Sequence, residues 1–235
     1  MQLVMFDMDG TLTDSFSLDE NCYVLAIEQA LGLSNVVTAW DTYTHTSSSY
    51  CLEEIVRHAR GTPPSPAECQ AVQSHMVRIM SEIQQTRGRS TREIPGAAAA
   101  LRHLRANGVA IALASGDWEM TARHKLASAG IPFENLPFAF CDCSHARTEI
   151  MRTALERAHQ HYSCTNFERI VYVGDAAWDV RACFDLGWPL VAIGSGAHAA
   201  RLESLGASHV LPDYRDLPAF LAAIAEATAP LLKTG

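Results

Sequence analysis

Two hydrophobic rhythms alternate along the second half of this chain. VAIALAS (109–115), RIVYVGD (169–175) and PLVAIG (189–194) are short apolar runs of strand length. They lack the every-other-residue polarity of a half-exposed strand, which predicts strands buried on both faces. PFAF (137–140) is a shorter candidate of the same kind. Between them the apolar positions recur every three or four residues. IPGAAAALRHLRANG places Leu101 and Leu104 on one helical face and stops at Gly108. DWEMTARHKLASAG predicts a second helix ending at Gly130. TEIMRTALERAH aligns Ile150, Met151, Ala154, Leu155 and Ala158 along one stripe, and WDVRACFDLG predicts the next helix. Strand–helix alternation of this kind predicts an α/β fold, a Rossmann-like parallel sheet flanked by helices and wound right-handed.

Residues 16–91 carry only the helical rhythm. Ser17 and Glu20 have capping-box spacing ahead of Val24, Ile27 and Leu31, and Gly32 closes that stretch. Leu52, Ile55, Val56 and Ala59 form a second stripe ending at Gly61. Ser65-Pro66-Ala67-Glu68 is a further capping box with proline at the first helical position, opening a helix with the stripe Val72, Met76, Ile79, Met80 and Ile83. The chain therefore divides into an α/β core (1–15 and 92–235) and an all-helical inserted domain (16–91).

The remaining apolar run, MQLVMF, ends on Asp7, Met8, Asp9 and Gly10. In open parallel sheets ligands gather beyond the carboxyl ends of the strands. Asp7 and Asp9, Ser115 and Asp175 all fall there, and Asp179 follows Asp175 by one helical turn. Paired acids are tolerable in such a place beside a hard cation, and Mg²⁺ takes one or two carboxylates, waters and a phosphate oxygen. A carboxylate held ionised by that cation can attack phosphorus, and a second acid can protonate the leaving oxygen and later deprotonate water.

FDMDGTLTDS, ALASGD and VYVGDAAWD resemble, in order and spacing, three signature motifs of the haloacid dehalogenase (HAD) superfamily. The likeness covers the whole chain, since 16–91 sits where many members carry a helical cap. It implies a phosphatase of the phosphoglycolate-phosphatase-like kind. In that case Asp7 is the nucleophile, Asp9 the general acid/base, and Ser115 a holder of the transferring phosphoryl group. The metal site is implied to be Asp7, the backbone carbonyl of Asp9, and Asp175. Asp179 is a further ligand or an acceptor from the metal's waters. The family's remaining motif is a cation, most often lysine. Arg147 precedes the helix before VYVGD and is the candidate, a guanidinium suiting phosphate in bidentate geometry. Lys125 is the runner-up, set against its reading as a solvated helix residue; Lys233, in the tail, is set aside. Asp9 itself points to phosphoryl chemistry, because halide-removing relatives do without it.

Other features are weaker. WDTYTHTSSSY (40–50) is a hydroxyl-rich cap segment from which Thr46 and Ser47, together with Gly116 of the core, are expected to touch substrate; a plain serine-capped loop is the alternative. CDCSH (141–145) lacks the second ligand pair of a zinc site and reads as reduced thiols near the surface. His198 and the GSG turn (194–196) read as ordinary helix and turn residues.

Composition narrows the partners. A net charge of −8 argues against nucleic acid as partner, whose phosphates demand a basic face. No apolar run approaches the ~18 residues of a membrane span, and no secretory signal pattern is visible. Seven irregularly spaced cysteines suit reduced thiols in the cytoplasm. The expectation is a Mg²⁺-dependent hydrolase of a small phosphorylated metabolite. Phosphoglycolate and a small sugar phosphate both fit. A phosphotransferase or phosphomutase on the same nucleophile, and a non-catalytic phosphometabolite-binding module, remain as alternatives.

Overall fold

The computed structural model describes residues 1–231 except Arg89, so Lys233 lies outside the described residues. Six strands form a parallel sheet: β1 (Gln2–Phe6), β4 (Ala110–Ala114), β5 (Phe138–Ala139), β6 (Arg169–Gly174), β7 (Leu190–Ile193) and β8 (Val210–Leu211), in the order β5-β4-β1-β6-β7-β8. β1 lies at the centre, paired on one side with β4 (Met5 opposite Ala112) and on the other with β6 (Met5 opposite Tyr172). Its residues Leu3 to Phe6 are fully buried. Each such side chain withdrawn from water contributes about 2 kcal/mol, which is why an unbroken apolar run specifies a central strand. The short β8 lies in a stretch with no strand signal of its own; edge pairing to β7 makes it a strand.

Helices α4 (Ala97–Ala106), α5 (Glu119–Ser128), α6 (Arg147–His161), α7 (Ala177–Leu186), α8 (Gly196–Ser204) and α9 (Leu217–Glu226) flank the sheet. Two hydrophobic clusters fill the space. One, on Leu3, Met5 and Tyr172, takes in α6; the other, on Val4, Phe6 and Val173, takes in α4 and α9.

Between β1 and β4 the chain forms α1 (Phe16–Leu31), a single 3₁₀ turn (Trp40–Thr42), α2 (Ser48–Arg60) and α3 (Pro66–Arg87), with no strand among the described residues. A two-stranded antiparallel ribbon, β2 (Thr13–Asp14) with β3 (Arg92–Glu93), brackets this segment where it leaves and rejoins the sheet. The Ser65–Glu68 capping box forms as expected: the Ser65 hydroxyl accepts from Glu68 N and the Glu68 carboxylate from Ser65 N, an arrangement worth about 1 kcal/mol. The other box does not stand where spacing put it. α1 starts at Phe16 with Ser15 as N-cap, ahead of Ser17, and the Ser15 hydroxyl donates to Asp9 rather than capping the helix. The buried face of α1 is accordingly Cys22, Tyr23, Ala26 and Ile27. In α2, Ala59 is exposed rather than part of the stripe.

Candidate active site

β1, β4 and β6 end side by side, and their ends carry the acids. Asp7 N donates to Val173 O at 2.8 Å, continuing the β1–β6 pairing one residue past the strand. The chain then turns at Gly10, whose φ of 78° is open to glycine at little cost. The Met8 carbonyl accepts from Leu12 N and Thr13 N. This turn sends the Asp7 and Asp9 side chains to different partners.

Asp7 faces β6. Carboxylate oxygens of Asp7, Asp175 and Asp179, all buried, lie within 4.8 Å of one another. At that separation each like-charged pair repels by roughly 3 kcal/mol at an effective dielectric of about 20, so three ionised acids need a counter-charge. Arg147 supplies part of it: Nη1 donates to Asp7 Oδ1 at 3.1 Å and Nε lies 3.8 Å from Asp179 Oδ1. One guanidinium against three carboxylates leaves a deficit, and burial raises all three pKa values. Asp179 is pushed up to about 7, by burial first and Asp7 second. Asp175 stands well above the carboxylate range through burial and the Asp179 charge. Asp7 is raised by burial, against the pull of Arg147. Three buried oxygen donors short of positive charge are the donor set a hard divalent cation prefers, so these residues fit magnesium.

The supporting bonds fix this arrangement. Thr11 Oγ1 donates to Asp175 Oδ1 at 3.0 Å. Asp179 Oδ2 accepts from Asp175 N and Ala176 N at 3.2 and 3.0 Å, so Asp179 ties the turn after β6 as well as facing Asp7. Ser115, buried after β4, stands beside Asp7 and works against the rise in its pKa.

The Asp9 carboxylate does not join the cluster. Its Oδ1 accepts from Thr13 Oγ1 and Ser15 Oγ, and its Oδ2 from Lys125 Nζ at 2.7 Å. Lys125 overturns its reading as a solvated helix residue. It is fully buried, because α5 turns it inward with Thr121, Ala122 and Leu126 on the face against the core. Asp19 and Asp117 also lie against Lys125, at 2.9 and 2.8 Å. These two acids and the lysine form a cluster that motif reading missed. The available signal was the position of Lys125 on the buried stripe of α5.

A cavity of about 490 Å³ opens over these groups, lined by Asp7, Asp9, Ser115, Gly116, Arg147, Thr46 and Ser47 and walled by Tyr23, Trp40 and Trp178. Tyr23 stacks on Trp118 and meets Trp40 edge-on, both with ring centroids 5.6 Å apart. α2 is fastened to the β4 turn by Ser48 N donating to Gly116 O at 2.8 Å. That places the 40–47 loop over the turns at the strand ends. Ser47 occupies the N-cap of α2 without a capping bond, and its buried hydroxyl has no partner among the described residues. A Cβ on Gly116 would stand 2.8 Å from Thr46 O and 3.0 Å from Arg147 Nη2, so glycine is what lets the two loops approach. A neighbouring cavity of about 510 Å³ lies on the far side of the same loop, towards His198, Arg181 and Arg201.

Two minor readings change. His198 is more than an ordinary helix residue, since its Nε2 donates to the Asp175 carbonyl at 2.7 Å. In CDCSH, Cys143 is exposed but Cys141 is buried, so only one of the two thiols is near the surface. Among the described residues the sole cluster suited to a metal is the aspartate triad.

A parallel sheet with a carboxylate triad, a serine and an arginine converging at its strand ends defines an α/β protein with a candidate active site built on an aspartate-rich turn. The family model for haloacid dehalogenase-like hydrolases matches residues 1–187, and the chain belongs to that family. A search of curated protein sequences gives no match. Among solved structures the fold is shared with CbbY from Rhodobacter sphaeroides in complex with phosphate (20% identity, 95% of this chain and 98% of that one, TM-score 0.70). It is shared too with a mutant of CbbY in complex with xylulose-(1,5)bisphosphate (19%, 92% and 95%, TM-score 0.68). A putative beta-phosphoglucomutase from Bacteroides vulgatus has the same fold (18%, 96% and 91%, TM-score 0.67). Among the described residues no helix is long and apolar enough to cross a membrane.

Proposed function

We propose that this hydrolase cleaves small phosphate monoesters with magnesium, through a covalent phosphate on Asp7. The observation that carries the reading is the buried triad of Asp7, Asp175 and Asp179 with Arg147 bonded to Asp7. It needs a cation, and it presents one carboxylate to a cavity large enough for a small metabolite. The phosphate and sugar bisphosphate bound by CbbY support a phosphorylated substrate.

Asp7, Asp175, Asp179 and the backbone carbonyl of Asp9 would hold the metal, which when bound supplies positive charge for the acids and the phosphoryl oxygens. The Asp7 oxygen forms a bond to phosphorus while the ester P–O bond breaks, its electron pair staying on the leaving oxygen, which takes a proton from Asp9. Ser115 and Arg147 face the transferring group and stabilise its spread charge. A water then gives a proton back to Asp9 and attacks phosphorus. The bond to Asp7 breaks, and phosphate leaves.

In this reading residues 1–15 and 92–235 are the catalytic core and 16–91 a helical cap, a division supported by the ribbon that brackets the helices. Thr46, Ser47 and Gly116 contact the substrate, and cap closure excludes bulk water. The seven free cysteines favour the reducing cytoplasm. The test is a panel of phosphorylated metabolites, including phosphoglycolate and small sugar phosphates, assayed for phosphate release with and without magnesium. Release from at least one ester, dependent on the metal, is expected; no release from any, or release indifferent to chelation, would refute the reading.

A further inference from the structure

Lys125 is fully buried, and its ammonium has three hydrogens for three carboxylates: Asp9 at 2.7 Å, Asp117 at 2.8 Å and Asp19 at 2.9 Å. Lys125 Nζ donates to Asp9 Oδ2 and Asp19 Oδ1 and pairs by charge with Asp117 Oδ2, so its charge is committed to these acids rather than to a phosphate. Burial alone would pull its pKa down, but the three acids together outweigh that and hold it well above the usual lysine range. Stability gives weak cause to keep such a cluster, since buried ion pairs are often replaceable by apolar side chains without loss. Position 125 lies on the buried face of α5 with Thr121, Ala122 and Leu126.

The three acids sit on different parts of the protein. Asp9 belongs to the turn after β1, Asp117 to the turn after β4, and Asp19 to the first turn of α1 in the helical segment. Asp117 Oδ1 accepts from Trp118 N, Thr121 Oγ1 and Ser48 Oγ at 2.8, 2.5 and 3.3 Å, and Oδ2 faces Lys125. It anchors the ammonium from the core. Among the described residues Asp9 Oδ2 meets Lys125 alone, while Thr13 and Ser15 hold Oδ1.

We propose that Lys125 is a positioning residue for proton transfer to the leaving oxygen, fixing the Asp9 carboxylate and linking it through Asp19 to α1. The proposal rests on the phosphatase reading above. Asp9 gives its proton to the departing oxygen as the ester P–O bond breaks, and Lys125 keeps all three of its own protons. Its contribution is orientation: held by Thr13 and Ser15 through Oδ1 alone, the Asp9 carboxylate can turn Oδ2 away from the leaving oxygen, and misplacement by about an ångström costs about 10²-fold in rate.

The experiment compares two esters in the wild type and in Lys125→Met. One is the best alkyl phosphate found in the panel, whose leaving oxygen needs the proton. The other is p-nitrophenyl phosphate, whose leaving oxygen does not. Because a positioned general acid contributes about 10²–10⁴-fold, kcat/KM, which reports the steps up to release of the alcohol and not the later attack of water, is expected to fall about 10²-fold for the alkyl ester and less than about fivefold for the nitrophenyl ester. In an Asp9→Asn background the same substitution should cost the alkyl ester nothing more. Equal losses on both esters, or no loss on either, would overturn the proposal. Should Lys125→Met fail to fold, Asp19→Asn decides, since that side chain is 26% exposed and its loss leaves the core anchor intact. It should shift the ratio of the two rates in the same direction, and an unchanged ratio counts against the link. A wild type that cleaves neither ester would sink the phosphatase reading, and this proposal with it.

Discussion

Arg147 Nη1 lies 3.1 Å from Asp7 Oδ1, although 140 residues separate the two in the chain. Asp7 ends the central strand and Arg147 opens α6, so the contact joins two strand-end loops of the sheet. The same guanidinium reaches towards Asp179. It therefore stands between two acids where a phosphoryl group would need a positive partner. Burial opposes its charge, but Asp7 and Asp179 raise its pKa above the ordinary arginine value, so it stays a cation throughout the usable pH range.

Arg147→Met should lower kcat/KM about 10²–10³-fold, the range for losing one preorganised electrostatic contact. Arg147→Lys should recover only part of this, because an ammonium lacks the planar fork. Steady-state kinetics on the best panel substrate check both. Full activity in the lysine variant would show that charge alone is used.

Asp7→Asn removes the proposed nucleophile and keeps its shape. Phosphate release should drop to background, while circular dichroism and the thermal midpoint stay near the wild type. Denaturing mass spectrometry of the wild type quenched during turnover should find a phosphate adduct on Asp7, absent from the variant. Near-normal turnover in Asp7→Asn would end the covalent mechanism.

The pKa shift of Asp179 has a measurable sign. Its folded value of about 7 exceeds the ordinary 3.8, so the native state holds a proton that the unfolded chain gives up. That contribution to stability is complete below 3.8 and is lost as pH rises through about 7. A cation reverses the trend by favouring the ionised triad. The thermal midpoint gained on adding magnesium should therefore be larger at about pH 8 than at about pH 5.5. A gain that does not change with pH would show that the triad does not release protons to the metal.

Gly116→Ala tests the contact between the two loops. Its Cβ would meet Thr46 O and Arg147 Nη2 inside van der Waals distance. Overpacking of this sort costs about 1–3 kcal/mol, so a lower thermal midpoint is expected. KM should rise together with it, because Thr46 and Arg147 both line the cavity. An unchanged KM would separate Gly116 from substrate binding.

Much of the molecule was legible before any coordinates. The buried strands end within a residue or two of their apolar runs, and the stripe Val72, Met76, Ile79, Met80 of α3 is buried as its spacing requires. These are properties of near neighbours: side-chain period, turn residues and caps act over three or four positions. Where another bond competed for a local signal, the reading failed. Ser15 is the example, drawn to Asp9 while the capping spacing pointed to Ser17.

The acids at the strand ends were visible in sequence because a parallel sheet always brings those ends together. The sequence alone thus determined the fold class, the aspartate-rich turn and Arg147 as a candidate. Only the tertiary structure decided that Lys125 is buried and bonded to Asp9 across 116 residues, with Asp19 and Asp117 around it. Helical periodicity says which face of α5 turns inward but not what waits there. The charge state and partners of a buried side chain depend on groups that meet only when the chain is folded.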